Sequence, residues 1–181
     1  GGNPEEPFVL FEETKELYAR RREELKGIVA ERYAAKAEWA KANPEKAAKM
    51  EKWFSGAAPE IDWTGFEQKA NQATRAASAA CLGVIAQQVE NMVVSSADLS
   101  NSDKTDGFLK YTKAITKDDF SGAFLQAGVA ELTMACLCLG MALHGGVLAA
   151  CGTFFVFSDY MKPAVRMAAL MELPVKFVWT H

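Results

Sequence analysis

The chain has 181 residues, of which 50% are hydrophobic and 24% charged, and its formal net charge is −3. This composition is typical of a globular domain with a hydrophobic core and argues against a disordered chain. There is no excess of basic residues, so we predict neither a nucleic-acid partner nor a polybasic membrane patch. The N-terminal residues 1–7 have neither the basic nor the apolar region of a signal peptide. We interpret both chain ends as those of a fragment of a longer protein.

The cysteines and histidines of the chain are not arranged as metal ligands. The four cysteines include no C-x-x-C pair, and the two histidines lie far from any ligand-like spacing. We therefore predict no metal site in this chain. Because all four cysteines lie in apolar surroundings, we expect buried, reduced thiols and a cytoplasmic location. These cysteines are Cys81, Cys136, Cys138 and Cys151.

The first third of the chain is predicted to be helical. From Glu12 to about Phe54 it is rich in alanine and in charges of both signs, which are good helix formers. Asn43 followed by Pro44 indicates that one helix ends and another begins at this point. We assign residues 1–65 to a linker and helical connector that carries no chemistry of its own.

From about residue 66 the pattern changes to alternating helices and strands. The predicted elements are helix Thr74–Glu90, strand Met92–Ser96, a polar loop Ala97–Asp103, strand Phe124–Ala127, helix Glu131–Leu143, strand Val147–Cys151, helix Thr153–Leu170 and strand Val175–Thr180. The nearly continuous apolar strands predict an α/β domain, residues 66–181, whose parallel sheet has helices on both faces. The uncharged run of residues 132–158 is long enough to raise the question of a membrane span. His144–Gly146 divides it into pieces of helix and strand length, so we predict no membrane span.

In a parallel sheet of this kind, ligands bind beyond the carboxyl ends of the strands. Four residues near those ends are candidates for a site, namely Asp98, Glu131, Phe154 and His181. Glu131 is the most informative, because no Lys, Arg, Asp or Glu follows it until Asp159. Such an acid is either solvated at a helix N-terminus or held in a dry site, where its pKa would rise and it could share a proton with a bound group. The residue pattern alone leaves both alternatives open.

Six motifs in the second half of the chain occur in the order found in one enzyme family. They are Ser95–Ser102, Gly128–Glu131, Leu143–Gly146, Gly152–Phe154, Ala164–Leu170 and Trp179–His181. Over these residues the chain resembles the pyrimidine-binding domain of transketolases, which use thiamine diphosphate as cofactor. The helical first part also resembles the connector that precedes this domain in the family. The resemblance implies transfer of a two-carbon ketol unit from a ketose phosphate to an aldose phosphate.

The resemblance assigns cofactor-binding roles to several residues. Glu131 matches the glutamate that activates the cofactor by a hydrogen bond to the N1′ atom of its aminopyrimidine ring. Asp98 and Leu99 match residues that contact the cofactor, although Asp98 alone would equally fit an Asx turn after a strand. The chain departs from the family at Ala130, where transketolases usually carry a basic residue. The aromatic residues that match the pocket around the pyrimidine ring, spaced three apart at the start of a predicted helix, are Phe154, Phe157 and Tyr160.

Three further residues are implied in substrate binding. Arg75 and Ser102 match residues that hold the sugar-phosphate tail of the substrate, for which an arginine offers a fork of hydrogen-bond donors. As a lone helix residue, Arg75 would most often be a surface charge. His181 matches a histidine that contacts the hydroxyl groups of the ketose. Sugar phosphates are therefore the expected substrates.

The resemblance also implies parts of the enzyme that lie outside these residues. The diphosphate-binding domain of the family, whose Gly-Asp-Gly and Asn motif holds Mg²⁺, has no counterpart in the sequence. In transketolases the active site forms between two subunits, so we expect a homodimer of the full-length protein and no activity of this chain alone.

Other functions stay open. Deoxyxylulose-phosphate synthases and dehydrogenase β-subunits also use thiamine diphosphate with a similar domain, and a non-catalytic dimerisation module is a further alternative. Arg75 and Ser102 favour a transketolase, because a dehydrogenase that acts on a small oxo acid needs no sugar-phosphate clamp. Glu131 counts against a non-catalytic module.

Overall fold

A computed structural model of the chain describes residues 2–181, which form seven α-helices and one four-stranded β-sheet. The helices are α1 (Glu12–Ala42), α2 (Pro44–Phe54), α3 (Thr74–Gln88), α4 (Ser100–Asp103), α5 (Asp106–Leu109), α6 (Glu131–His144) and α7 (Ser158–Leu170). The strands are β1 (Met92–Ser96), β2 (Phe124–Gln126), β3 (Leu148–Phe154) and β4 (Lys176–Thr180). The chain divides into two compact units, one ending at Lys49 and the other comprising Met50–His181. The predicted boundary between residues 65 and 66 stays a prediction.

The first unit is dominated by the 31-residue helix α1. This helix ends at Ala42 and is capped by Asn43, whose side-chain amide Nδ2 donates a hydrogen bond to the carbonyl oxygen of Trp39 over 3.0 Å. Pro44 then begins α2, since its fixed φ angle suits the first position of a helix. The predicted break between two helices at Asn43 and Pro44 is confirmed. Exposed ion pairs at i,i+3 spacing, such as Arg21 with Glu24, lie along α1.

The sheet of the Met50–His181 unit has four parallel strands in the order β2-β1-β3-β4. Ser96, the last residue of β1, is in register with Gln126 of β2 and Gly152 of β3. Phe154, the last residue of β3, is in register with Thr180 of β4. Because parallel strands all point the same way, their carboxyl ends meet at one edge of the sheet. The predicted α/β fold with a parallel sheet is confirmed.

Each face of the sheet is covered by helices and has its own hydrophobic core. On one face, Ala149 and Cys151 of β3 pack in a buried cluster with Met134 of α6 and Met161 of α7. On the other face, Ala150 of β3 belongs to a second cluster built from β1, β2, α3 and α5. The members of that cluster include Leu82, Val94, Phe108 and Phe124. Successive residues of β3 thus face opposite cores, as the two-residue period of a strand requires.

The end of β3 and the start of α7 differ from the sequence prediction. β3 continues to Phe154 instead of ending at Cys151, and α7 begins at Ser158 instead of Thr153. A single 3₁₀ turn, Phe155–Phe157, lies between the two elements. Threonine and phenylalanine favour extended backbone, and β4 pairs with this end of β3. The prediction was wrong here because a short apolar run fits a buried strand and a buried helix equally well.

The segment after β1, predicted as a polar loop, contains the short helix α4. The backbone N–H groups of Ser102 and Asp103 both donate to the carbonyl oxygen of Leu99 over 2.8 Å. Lys104 then ends the helix in the left-handed region with a φ of 69°. A polar helix of four residues has no apolar periodicity, so no sequence pattern predicts it.

The cysteines follow the prediction only in part. All four are free thiols, and Cys138 and Cys151 are buried, where a mutual hydrogen bond and burial raise the pKa of the Cys151 thiol. Cys81 is half-buried. The prediction was wrong for Cys136, which is exposed, because Met134, Ala135 and Cys138 occupy the core-facing side of α6.

Two features are absent from residues 2–181. In this part of the chain no helix is both long and apolar enough to cross a membrane. Within the same residues no group of three or more His, Cys, Asp or Glu side chains is arranged so that it could hold a metal ion.

Gly107 of α5 tests how tightly α5 packs against α3. A Cβ atom at this position would lie 2.7 Å from the Cα atom of Ala79 and would also overlap its carbonyl oxygen. Overpacking against backbone typically costs about 1–3 kcal/mol. We therefore expect Gly107→Ala to lower the free energy of unfolding by about this amount in urea denaturation followed by circular dichroism.

The matched control is Gly140→Ala in α6, where a Cβ atom would meet nothing within 4 Å. Alanine has a higher helix propensity than glycine, so this change is expected to raise the free energy of unfolding by up to ~1 kcal/mol. Equal effects of the two substitutions would contradict the packing of α5 on α3.

Candidate functional site

A cleft of about 410 Å³ opens at the carboxyl edge of the sheet. Its walls come from the segment after β1, the start of α6, and the region where β3 passes into α7. The lining residues are Ala97, Asp98, Leu99, Val129, Glu131, Phe157 and Tyr160. Five of the residues predicted to form a cofactor site therefore line a single cleft: Asp98, Leu99, Glu131, Phe157 and Tyr160.

Glu131 is the first residue of α6, and its side chain faces this cleft. The turn that leads to it from β2 includes Gly128 at a φ of 71°, a conformation that glycine adopts without strain. Glu131 is 8% exposed and lies among mostly apolar lining residues. Within residues 2–181 its carboxyl group has no salt-bridge partner and no side-chain hydrogen bond. The carboxyl group is thus available to a ligand in the cleft.

Three aromatic rings form a series from the edge of the sheet into the cleft. The rings of Phe154 and Phe157 stack with centroids 5.9 Å apart and an interplanar angle of 15°. Phe157 and Tyr160 stack in the same way at 6.1 Å and 22°. Phe154 ends β3, Phe157 lies in the 3₁₀ turn, and Tyr160 belongs to α7. The prediction that all three rings belong to one helix was therefore wrong. Phe157 and Tyr160 line the cleft, while Phe154 contacts it only through Phe157.

The segment after β1 forms the opposite wall. Asp98 has a φ of 63°, which turns the chain sharply at the end of the strand. The backbone N–H of Leu99 donates to the hydroxyl oxygen of Ser96 over 3.3 Å, and this bond closes the turn. Asp98 and Leu99 are therefore held against the cleft by backbone geometry and not by packing alone.

A second pocket of about 370 Å³ lies between the start of α3 and the end of β4. The guanidinium Nη1 of Arg75 donates to the carbonyl oxygen of Ser102 over 3.2 Å and lies 2.8 Å from Nε2 of His181. The structure thus brings together all three residues predicted to bind substrate. Ser102 takes part through its backbone, while its hydroxyl donates to Asn101 Oδ1 over 3.4 Å.

The two pockets are connected by one aromatic contact. The ring of Phe154 lies 4.6 Å from the imidazole ring of His181, centroid to centroid. Phe154 also stacks on Phe157, whose ring lines the cleft. The two pockets are therefore neighbours along one edge of the sheet.

Sequence reasoning missed a buried polar cluster beneath the segment after β1. Ser96, Asp103 and Thr105 are each at most 2% exposed, and the carboxylate of Asp103 accepts hydrogen bonds from the other two residues. The only signal in the sequence is the presence of small polar residues directly after an apolar strand. Such residues are typical of any surface loop, so their burial could not be foreseen.

The comparison with protein families identifies the domain that forms this cleft. The protein-family model described as "Transketolase, pyrimidine binding domain" matches residues 70–181. The chain belongs to the transketolase family. The match covers all four strands and every residue that lines the cleft.

Individual transketolases are similar to the chain over nearly its whole length. The transketolase of Halalkalibacterium halodurans is 38% identical over 98% of this chain. Two structures of the transketolase from Pichia stipitis, one a complex with sedoheptulose-7-phosphate and the other a mutant in complex with xylulose-5-phosphate, each superpose with a TM-score of 0.85. Each is 30% identical over 98% of this chain. The chain spans about a quarter of the length of these relatives, 26% and 27%.

The left-handed backbone at Asp98 gives a test of how the turn is built. Residues other than glycine, asparagine and aspartate are disfavoured at such a φ, by roughly 1–2 kcal/mol. We expect Asp98→Ala to unfold with a free energy about 1 kcal/mol lower than Asp98→Gly, because both lose the carboxylate but only glycine tolerates the φ freely. Chemical denaturation of the two variants measures the difference. Equal stabilities would mean that the turn has a different backbone conformation.

Proposed function

We propose that the chain forms the pyrimidine side of a thiamine diphosphate site in a transketolase, which transfers a two-carbon ketol unit from a ketose phosphate to an aldose phosphate. The observation that carries this proposal is the carboxyl group of Glu131, a residue only 8% exposed. This carboxyl group has no partner among residues 2–181 and opens into a cleft walled by stacked aromatic rings. Family membership supports the same activity.

The cleft fits the aminopyrimidine ring of the cofactor. Its volume of about 410 Å³ lies in the range of about 300–1,000 Å³ found for small-molecule sites. Phe157 and Tyr160 offer faces for offset stacking on a flat heteroaromatic ring, and Leu99 and Val129 supply apolar walls. When bound, thiamine diphosphate supplies the carbon nucleophile that carries the two-carbon unit. Glu131 would donate or accept a hydrogen bond at a ring nitrogen and would hold the shared proton there.

The diphosphate and Mg²⁺ need a different binding surface. Over residues 2–181 there is no cluster of side chains suited to a metal ion. We therefore assign their binding to a diphosphate-binding domain contributed by the remaining length of the enzyme, in the partner subunit of a homodimer. The cleft is open on the side of Val129, which is 80% exposed, and this open side is where such a domain would close it.

The second pocket is assigned to the sugar phosphate. The guanidinium group of Arg75 provides charged donors for phosphate oxygens, and His181 lies close enough to contact the adjoining hydroxyl groups. The complexes of the similar Pichia stipitis enzyme with ketose phosphates support this class of substrate. The contact between Phe154 and His181 brings the substrate pocket beside the cofactor cleft, as transfer of carbon between the two requires.

Replacement of Glu131 tests the proposed function directly. In the holoenzyme, where this chain is combined with a diphosphate-binding domain, Glu131→Gln is expected to lower kcat for ketol transfer at least ~100-fold. A positioned acid–base group typically contributes 10²–10⁴-fold, and the amide cannot share a proton. The control is Glu67→Gln, an exposed glutamate outside the cleft, which should leave kcat unchanged. Retention of wild-type turnover by Glu131→Gln would disprove the assignment.

Replacement of Arg75 tests the substrate pocket. Hydrogen bonds to a charged group are worth about 1.5–3 kcal/mol, so Arg75→Ala is expected to raise KM for a ketose phosphate at least ~10-fold. Steady-state kinetics with D-xylulose 5-phosphate measures the change, and Arg32→Ala, an exposed arginine of α1, is the matched control. An unchanged KM in Arg75→Ala would place the phosphate elsewhere.

A further inference from the structure

A fully buried carboxylate lies beneath the segment that forms one wall of the cofactor cleft. Asp103, the last residue of α4, is 1% exposed. No lysine, arginine or histidine of residues 2–181 forms an ion pair with it. A buried charge without a counter-ion is costly unless hydrogen bonds satisfy it. The hydrogen bonds that the carboxylate accepts therefore show which neighbouring groups Asp103 holds in place.

Both oxygens of Asp103 accept hydrogen bonds from neighbours on either side. Oδ2 accepts from the hydroxyl group of Ser96 over 2.7 Å. Oδ1 accepts from the backbone N–H of Thr105 over 2.8 Å and from its hydroxyl group over 2.7 Å. These three groups, one from Ser96 and two from Thr105, are all donors, so full pairing requires an acceptor atom on each side of the side chain. A carboxylate meets that requirement.

The same cluster fixes both ends of the segment that forms the site. The Ser96 hydroxyl that donates to Asp103 also accepts the backbone N–H of Leu99, which lines the cofactor cleft. Asp103 closes α4 by donating its own N–H to the carbonyl oxygen of Leu99 over 2.8 Å. Between these points lies Ser102, whose carbonyl oxygen accepts the hydrogen bond from Arg75. One cluster thus sets the position of a cofactor-side residue and of the acceptor that orients Arg75.

Close contact with the sheet keeps this cluster in place. A Cβ atom on Gly152 of β3 would lie 2.5 Å from Cγ2 of Thr105 and 3.3 Å from Oδ2 of Asp103. Gly152 is the residue of β3 in register with Ser96. The cluster is therefore pressed onto the sheet at a point where only glycine leaves enough room.

We propose that Asp103 is a positioning residue of the enzyme: through Ser96 and the end of α4 it holds Leu99 at the cofactor cleft and aims Arg75 at the phosphate of the substrate. This inference rests on the proposed function, because it assigns a role within that site. Loss of the carboxylate frees the end of α4, so Arg75 loses its oriented acceptor. The effect falls mainly on the binding of phosphorylated substrates, since an unphosphorylated ketose makes no use of Arg75.

The test compares two donors that differ only in the phosphate group. D-xylulose 5-phosphate and D-xylulose are used with the wild-type holoenzyme and with Asp103→Ala, Asp103→Asn and Asp118→Ala, the last being an exposed aspartate. For Asp103→Ala we expect KM for D-xylulose 5-phosphate to rise about tenfold, KM for D-xylulose to change less than twofold, and kcat to change little. Asp103→Asn keeps an acceptor for Thr105 and should restore KM to within about threefold of wild type. Asp118→Ala should match wild type.

A merely structural role predicts a different pattern. It would lower the thermal stability and the active fraction, and so kcat, while leaving the ratio of the two KM values unchanged. If Asp103→Ala does not fold, Thr105→Val decides the question, because it removes one donor and keeps the side-chain shape. It is expected to raise KM for the phosphorylated donor two- to fivefold.

The outcomes separate this inference from the proposed function. Absence of ketol transfer by the wild-type holoenzyme would overturn the proposed function and this inference with it. Transfer by the wild-type enzyme, with the two KM values unchanged or raised equally in Asp103→Ala, or in Thr105→Val where Asp103→Ala does not fold, would overturn the role of Asp103 alone.

Discussion

The arrangement of the site depends on how closely the segment after β1 approaches β3. Ser96 and Gly152 are neighbours in the parallel register, and Gly152 leaves room for Asp103 and Thr105 against the sheet. From this contact the chain turns through Asp98 to form one wall of the cleft. A side chain at Gly152 would lift the segment and separate its wall from the carboxyl group of Glu131. The close approach at Gly152 therefore determines where this wall of the cleft stands.

The end of β3 has an equally strong influence on the opposite wall. Because β3 continues to Phe154, the ring of this residue stands at the edge of the sheet, where it contacts both Phe157 and His181. Had the helix begun at Thr153, the three aromatic side chains would have followed one helix face. The strand end and the 3₁₀ turn instead spread them from the pocket beside Arg75 to the cleft beside Glu131. Extended backbone at Phe154 thus connects two pockets that a helix would have kept apart.

The sequence predicted those parts of the fold that rest on a periodic apolar pattern. The parallel sheet, the helix that begins at Glu131, and the break at Asn43 and Pro44 have local signals of composition or spacing. What could not be predicted depends on contacts between distant segments. Asp103 is buried against β3, where Gly152 leaves room for its carboxylate, and nothing near Asp103 in the sequence reveals that neighbour. The strand ends indicated part of the candidate site, including Glu131 and His181. The resemblance to a family was needed for Arg75, since no spacing links it to His181 across 105 intervening residues.

The openness of the cleft connects the proposed chemistry with assembly. A carboxyl group holds a shared proton with a ligand best where water is excluded, since water competes for the same hydrogen bond. Glu131 is largely buried, yet Val129 beside it and Leu132 after it are exposed. Both are apolar side chains, and a domain that covers them would bury apolar surface and shield Glu131 in the same step. The free energy gained on association would then also create the dry environment that the carboxyl group needs, so the site would become competent only in the assembled enzyme.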